Sequence, residues 1–287
     1  MYQTTNRQTG RGSIPRLAMI NDIAGFGRCS TTVSLPVISA LEVQVCPVPT
    51  SILSNHLGFP LCHFDDYTSH MHDYIDVWKQ LGLSFDGLYC GFLGSVEQIS
   101  IVEEFLTLFQ PGLFLLDPVM GDNGKSYSTI TEKHCLGLKK LASRADILTP
   151  NLTEACLLTD TDYHEEWTNE ELDRLCEKLT ELCPKSKIVI TGILQDKCFL
   201  NLISDKKKKT ACVTPKAGAS RPGTGDLFAS VLIADALHGR EFCSSVKHAA
   251  DFVALCIRGS EEAGIPIQEG VIFERYLREL ILHSPTP

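Results

Sequence analysis

Short apolar runs alternate with helix-period segments along most of this chain, and that alternation is its strongest constraint on fold. The runs cover residues 17–20, 43–48, 87–89, 113–116, 147–148 and 188–191. Helical patterns follow or separate them. The clearest spans residues 171–183, with Leu172, Leu175, Cys176, Leu179 and Leu182 on one face. Strands alternating with helices imply a parallel sheet covered on both faces. Residues 198–203 and 210–213 flank a lysine run at 206–209, which predicts an antiparallel hairpin closed by a solvated turn. No internal repeat or linker divides the chain. The expectation is one α/β domain over residues 14–287, preceded by a loose polar arm at residues 1–13.

Composition narrows the function classes. The net charge of −9 argues against nucleic acid as a partner, because phosphate backbones demand clustered Lys and Arg. No apolar stretch approaches a membrane span, and residues 1–13 lack the apolar core of a signal peptide. Twelve cysteines are present without a C-x-x-C pair, and many fall within apolar patterns. Free buried thiols of that kind point to a reducing cytosol.

The most informative short segment is Arg221-Pro222-Gly223-Thr224-Gly225-Asp226. Leu227, Phe228, Val231, Leu232, Ala234 and Leu237 then recur at helical spacing. A glycine turn thus delivers Asp226 to the first turn of a buried helix. The first amides of a helix lack internal acceptors, and glycines let an anion approach them closely. Such amides can hold phosphate charge while a carboxylate takes a hydroxyl proton, which suits phosphoryl transfer to an alcohol. The competing reading is that Asp226 only caps the helix.

Other polar motifs also fall just after expected strands, where open parallel sheets bind ligands. They are Asn21-Asp22, Asp117-Pro118-Val119-Met120-Gly121-Asp122, Thr149-Pro150-Asn151-Leu152-Thr153-Glu154 and Thr191-Gly192. Asp117, Asp122 and Glu154 could supply oxygen ligands to Mg²⁺ alongside substrate phosphates. Singly, Asp117 reads as a turn residue and Glu154 as an early-helix acid. Neither a P-loop nor a dinucleotide motif is complete: Val119 stands where G-x-x-x-x-G-K-S/T needs its first glycine, and Ser30 replaces the third glycine after Gly25 and Gly27. His56 reads equally as a substrate contact or a turn histidine. Phe92 could stack on a flat ring or simply pack in the core. Cys62, His63, Asp65, Asp66, His70 and His72 match no standard zinc spacing, and a mobile flap near the substrate is expected there.

Taken in order, Asn21-Asp22, Ser54-Asn55-His56, Gly91-Phe92, the 117–122 and 149–155 motifs and Gly223-Thr224-Gly225-Asp226 resemble the pyridoxal kinases, a branch of the ribokinase-like superfamily. The resemblance covers residues 16–282. It implies a three-layer α/β/α sandwich and ATP-dependent phosphorylation of the 5′-hydroxymethyl group of pyridoxal, pyridoxamine or pyridoxine. It also implies Mg²⁺, a monovalent cation such as K⁺, and a homodimer. By motif match Asp226 would be the general base, and the amides of Gly223, Thr224 and Gly225 the anion hole. Asp117, Asp122, Asn151 and Glu154 would organise Mg·ATP, with Asp122 and Glu154 on the metal. Thr149 and Thr191 would lie along the phosphates or the monovalent cation. Asn21, His56 and Phe92 would hold the pyridine.

Many members of that family carry serine at the position of Asn21, threonine at that of Leu57 and tyrosine at that of Phe92. These departures touch substrate preference and leave the transfer machinery alone. A hydroxymethylpyrimidine kinase would use the same turn, but Ser54-Asn55-His56 speaks against it. A catalytically silent vitamer- or nucleotide-binding regulator is opposed by the intact Asp226 and both acidic motifs.

Overall fold

The computed structural model describes residues 14–205 and 208–283; the expected arm at 1–13 and Lys206 and Lys207 of the lysine run lie outside them. The strands are β1 (Arg16–Ala24), β2 (Gln44–Leu53), β3 (Phe64–Asp66), β4 (Gly87–Cys90), β5 (Phe114–Leu116), β6 (Gly121–Asp122), β7 (Lys125–Ser126), β8 (Ile147–Leu148), β9 (Lys187–Gln195), β10 (Cys198–Asp205) and β11 (Lys208–Pro215). All but β6 and β7, which form their own small hairpin, join one sheet in the order β11-β10-β9-β8-β5-β4-β1-β2-β3. Pairing is parallel from β9 through β8, β5, β4 and β1 to β2. The expected hairpin runs antiparallel from Cys198↔Pro215 to Asp205↔Lys208.

Strand alternation feeds two cores. Ala18, Ile20, Leu88, Cys90, Phe114, Leu116, Ile188 and Ile190 point to one face. Leu17, Met19, Tyr89, Leu115 and Val189 point to the other. The first core is covered by α2 (Thr68–Gln80), α3 (Val96–Phe109), α4 (Glu132–Ala142), α5 (Leu152–Thr159) and α6 (Asn169–Leu182). The second is covered by α1 (Thr31–Ala40), α7 (Thr224–Leu237), α8 (Phe242–Glu262) and α9 (Leu277–Leu282). Each buried Leu, Ile or Phe contributes roughly 1.5–3 kcal/mol, so apolar runs facing two covered sides favour this layering strongly. Among the described residues no helix is long and apolar enough to cross a membrane.

The chain runs outward from β1 to β2 and β3, then returns to β4 on the other side of β1. The gap between the carboxyl ends of β1 and β4 is therefore the switch point at which such sheets bind ligands.

Four local expectations are corrected. Asn21 and Asp22 lie inside β1, which continues to Ala24 past a register shift between Asn21 and Ile23. Thr191-Gly192 does not end its strand: β9 runs on to Gln195, with Gly192 at φ 68° and its N–H donated to Asn201 Oδ1 at 3.1 Å. The expected flap at 62–72 contains β3, an antiparallel strand on the far edge, and the start of α2. Asp66 Oδ1 secures that helix by accepting the Thr68 N–H at 2.9 Å. Lys208 and Lys209 belong to β11 rather than to a turn, and Lys209 pairs with Asp173 and Glu177 of α6.

Candidate active site

Helix α7 starts at the glycine turn as its sequence requires. Gly223 is the N-cap at φ 80°, and a β-carbon there would run into the Arg28 carbonyl. Only glycine meets both conditions. The Thr224 hydroxyl donates to the Arg221 carbonyl at 3.0 Å. Leu227 to Asp235 are all buried, so the helix is gripped on every side and its first amides are held in place. Gly225 sits close to the acidic motif, with its β-carbon position 3.8 Å from Asp117 Oδ2.

Asp226 occupies the first turn, where its Oδ2 accepts the Ser30 N–H at 2.8 Å and its Oδ1 the Asn21 side-chain amide at 3.5 Å. Ser30 adopts φ 55° and ψ −140°, a conformation that costs a non-glycine residue about 1–3 kcal/mol. That strain aims its N–H at the carboxylate. Burial pushes the Asp226 carboxyl above the usual carboxylate range, opposed by donors from Ser30 and Asn21 and by the Tyr89 hydroxyl nearby. Asp22 is 5% exposed, and burial, reinforced by the charge of Asp226, pushes its carboxyl up to about 7.

Asn21 joins the two strand ends at the switch point. Its Oδ1 accepts the N–H of Asp22 at 3.0 Å and of Phe92 at 2.9 Å. Gly91 makes room, since a β-carbon there would stand 2.6 Å from that oxygen. Phe92 is 8% exposed, and its carbonyl accepts the Thr50 hydroxyl at 3.0 Å.

The acidic motifs meet along the neighbouring strand ends. Thr149 donates its hydroxyl to Asp117 Oδ1 at 3.4 Å. Burial, then the charge of Asp226, push Asp117 up to about 8. Asn151 and Glu154 form a capping box on α5: Asn151 Oδ1 accepts the Glu154 N–H at 3.0 Å, and Glu154 Oε2 accepts the Asn151 N–H at 2.8 Å. Both also reach the β6–β7 region, Glu154 Oε1 through the Met120 N–H at 3.1 Å and Asn151 Nδ2 through the Gly121 carbonyl at 2.8 Å. Thr191 adjoins them, its N–H donated to the Pro150 carbonyl at 2.9 Å. Burial raises Glu154 well above the carboxylate range, with Asp117 and Asp122 adding to it; burial also raises Asp122. Among the described residues no three His, Cys, Asp or Glu side chains gather in a metal-holding arrangement.

His56 lies on the loop after β2, with Nε2 2.7 Å from the Gln268 carbonyl and Nδ1 accepting the Gly58 N–H at 3.1 Å. Its ring packs 4.7 Å from Phe59, which lies 5.6 Å from the exposed Phe26. The segment 265–270 clamps three distant parts of the chain. It takes the His56 ring at Gln268, the Arg28 N–H at Glu269, and the Arg221 guanidinium at Ile265, Pro266 and Gly270. Arg221 is thereby committed to structure. Cys62 donates its Sγ–H to the Asn55 carbonyl at 2.9 Å and so shapes the His56 loop.

The structure therefore brings Asp226, Gly223, Thr224, Gly225, Asn21 and Phe92 around the switch point. Asp117, Thr149, Asn151, Glu154, Asp122 and Thr191 line the adjoining strand ends. His56 sits on the loop opposite, engaged with Gln268. Sequence reasoning passes over Ser30, Tyr89 and Gln268. Nothing in the pattern marks a serine for positive φ, an apolar strand position for a buried hydroxyl near Asp226, or a remote carbonyl as a histidine partner.

The phosphomethylpyrimidine kinase family model matches residues 80–271. An Arabidopsis thaliana pyridoxal kinase is 30% identical over 210 residues, 68% of this chain and 66% of that protein. A hydroxymethylpyrimidine/phosphomethylpyrimidine kinase of Aquifex aeolicus is 25% identical over 265 residues, 88% of this chain and 92% of that protein. A Bacteroides thetaiotaomicron protein provisionally assigned as a phosphomethylpyrimidine kinase, crystallised with pyridoxal, is 33% identical. It superposes with a TM-score of 0.90 over 96% of this chain and 97% of that one. The match takes in 59% of the length of a Schizosaccharomyces pombe relative. The ribokinase-like architecture and the resemblance to pyridoxal kinases are both borne out.

Proposed function

The chain belongs to the phosphomethylpyrimidine kinase family and is a phosphotransferase akin to the pyridoxal kinases, and from that premise we propose that it moves the γ-phosphoryl group of ATP to the 5′-hydroxymethyl group of a B6 vitamer. Residues 14–287 act as one catalytic domain. The observation that carries the reading is the Asp226 carboxylate, held by Ser30 and Asn21 at the anion turn beside the switch point.

The chemistry divides among residues already placed. Asn21 and Phe92 position the pyridine, with His56 on the opposite loop. Asp226 accepts the proton of the 5′-hydroxyl as its oxygen attacks the γ-phosphorus, and ADP departs with the electrons of the broken P–O bond. The amides of Gly223, Thr224 and Gly225 take up charge on the transferring phosphoryl oxygens. Asn151 and Asp117 would organise the nucleotide end, and Thr149 and Thr191 would lie along the phosphates or a monovalent cation such as K⁺.

Burial raises the proton affinity of Asp117 and Glu154, and the charges of neighbouring carboxylates add to it. Mg²⁺ ordinarily takes one or two carboxylates together with substrate phosphates and water, which a pair of acidic side chains beside the nucleotide end fits. Asp122 and Glu154 would hold that ion, which when bound neutralises phosphate charge. The twelve uncrosslinked cysteines support a cytoplasmic setting. A homodimer completes the reading by family resemblance.

The alternative substrate, hydroxymethylpyrimidine or its phosphate, draws support from the family match and the Aquifex relative. A side-by-side assay of ATP consumption with pyridoxal, pyridoxamine, pyridoxine and hydroxymethylpyrimidine, in Mg²⁺ and K⁺, separates the two. The expected ranking of kcat/KM puts a B6 vitamer first. Turnover of hydroxymethylpyrimidine and of no vitamer would overturn the proposal.

A further inference from the structure

Tyr89 is fully buried on β4. Parallel pairing sets it opposite Met19 of β1, and alternation turns it away from Leu88 and Cys90 into the core under α1 and α7. Its hydroxyl makes no hydrogen bond of ordinary geometry, and neither does the buried hydroxyl of Ser34 in α1. Leaving one buried donor unpaired costs about 1–3 kcal/mol, so two together call for an explanation. Asp226 is the charged group that acts most strongly on the Tyr89 hydroxyl, and Ser34 is the hydroxyl beside it. One donor chain would satisfy all three groups: Ser34 O–H to the Tyr89 oxygen, and Tyr89 O–H to Asp226.

The base needs such a donor. The titratable groups facing Asp226 are Asp22 of β1, Cys29 ahead of α1, Tyr89 of β4, Asp117 after β5 and Tyr127 after β7. None is a cation, and Asp22 and Asp117 are carboxylates that oppose a further negative charge. The Ser30 N–H and the Asn21 amide, the latter at a long 3.5 Å, are the donors already in place. A hydrogen bond to the charged form of a carboxylate favours ionisation.

We propose that Tyr89 is a positioning residue for Asp226: its hydroxyl, backed by Ser34, gives the carboxylate a third donor from the sheet side and holds it ionised and aimed at the anion turn. The proposal rests on reading Asp226 as the base, and its test keeps the two separable. Tyr89→Phe removes one oxygen and leaves the ring in the core. Two quantities are measured: the pH profile of kcat with pyridoxal and ATP, and the ¹³C carboxyl titration of Asp226 in ligand-free protein, assigned by its loss in Asp226→Asn. The expected result is a rise of about one pH unit in both, so that kcat on the acid limb falls about tenfold while the alkaline plateau is kept. A folded variant whose carboxyl titration and acid limb coincide with wild type overturns the proposal. If the wild type phosphorylates no vitamer, the carboxyl titration decides alone. If Tyr89→Phe does not fold, Ser34→Ala is measured by the same titration; an upward shift supports the relay and coincidence with wild type overturns it.

Discussion

The side-chain amide of Asn21 spans the switch point, donating to Asp226 Oδ1 at 3.5 Å while its oxygen accepts the Phe92 N–H at 2.9 Å. One side chain thus fixes the spacing between the proposed base and the aromatic residue proposed to face the vitamer. Serine, found at this position in many pyridoxal kinases, is shorter and offers a hydroxyl in place of the amide.

Asp226→Asn should keep the size of the side chain and remove the proton acceptor. Loss of a general base typically costs ~10²–10⁴-fold in rate. The fall is expected in kcat, with the KM for ATP little changed. A folded variant with near wild-type kcat would leave Asp226 as a structural acceptor for the Ser30 N–H rather than a helix cap.

Phe92→Ala should raise the vitamer KM and leave the ATP KM in place, provided KM tracks binding. Because the ring is 8% exposed, truncation also lowers stability, by ~3–5 kcal/mol for a large-to-small core change. Melting temperature and vitamer KM measured on one preparation separate the two contributions. Lost stability with an unmoved vitamer KM would return Phe92 to the core.

Asp22→Asn should change how stability depends on pH. The Asp22 carboxyl titrates near 7 in the folded protein against an ordinary value of 3.8. The native state therefore binds this proton more tightly than the unfolded chain. Its stabilising contribution is complete below about pH 4 and is lost as pH rises to about 7, an effect on the order of a few kcal/mol. Asparagine has no such proton. In ligand-free, Mg²⁺-free protein the stability of the variant relative to wild type should rise across that interval, followed by chemical denaturation at successive pH values. A constant difference from pH 4 to 8 would show that Asp22 is not held protonated.

Asp122→Ala should raise the Mg²⁺ concentration needed for half-maximal activity while leaving the vitamer KM near wild type. Glu154→Ala should do the same and also cost stability, because Glu154 accepts N–H groups from Met120 and Asn151. Losing such a buried cap is worth ~1–2 kcal/mol. Mg²⁺ titrations indistinguishable from wild type in both variants would reduce them to a turn acid and a capping acid.

The central parallel strands β4, β5 and β8 were legible because each is buried on two faces and so reads as an unbroken apolar run. The 171–183 helix was legible from its single apolar stripe. The turn at Gly223 announced itself through residue types that no other backbone geometry requires. Asn21 and Asp22 were placed too late because polar residues in a strand normally signal its end. Here they remain in β1 because the strand's carboxyl end forms the site wall. Edge strand β3 was hidden because its three residues, Phe64, Asp65 and Asp66, are all exposed and carry no alternation. Ser30 was invisible because its contribution is a backbone N–H in a strained conformation, to which the side chain gives no clue.

The clamp at 265–270 has a consequence for the order in which this molecule can be completed. His56, Arg28 and Arg221 are synthesised well before the carbonyls that receive them. On a ribosome, the His56 loop and the glycine turn must wait without their final partners until residue 270 has emerged. Chains released before that point lack the clamp at both ends of the site at once. A growing chain can thus assemble its sheet from β1 to β11 before either end of the catalytic cleft is locked.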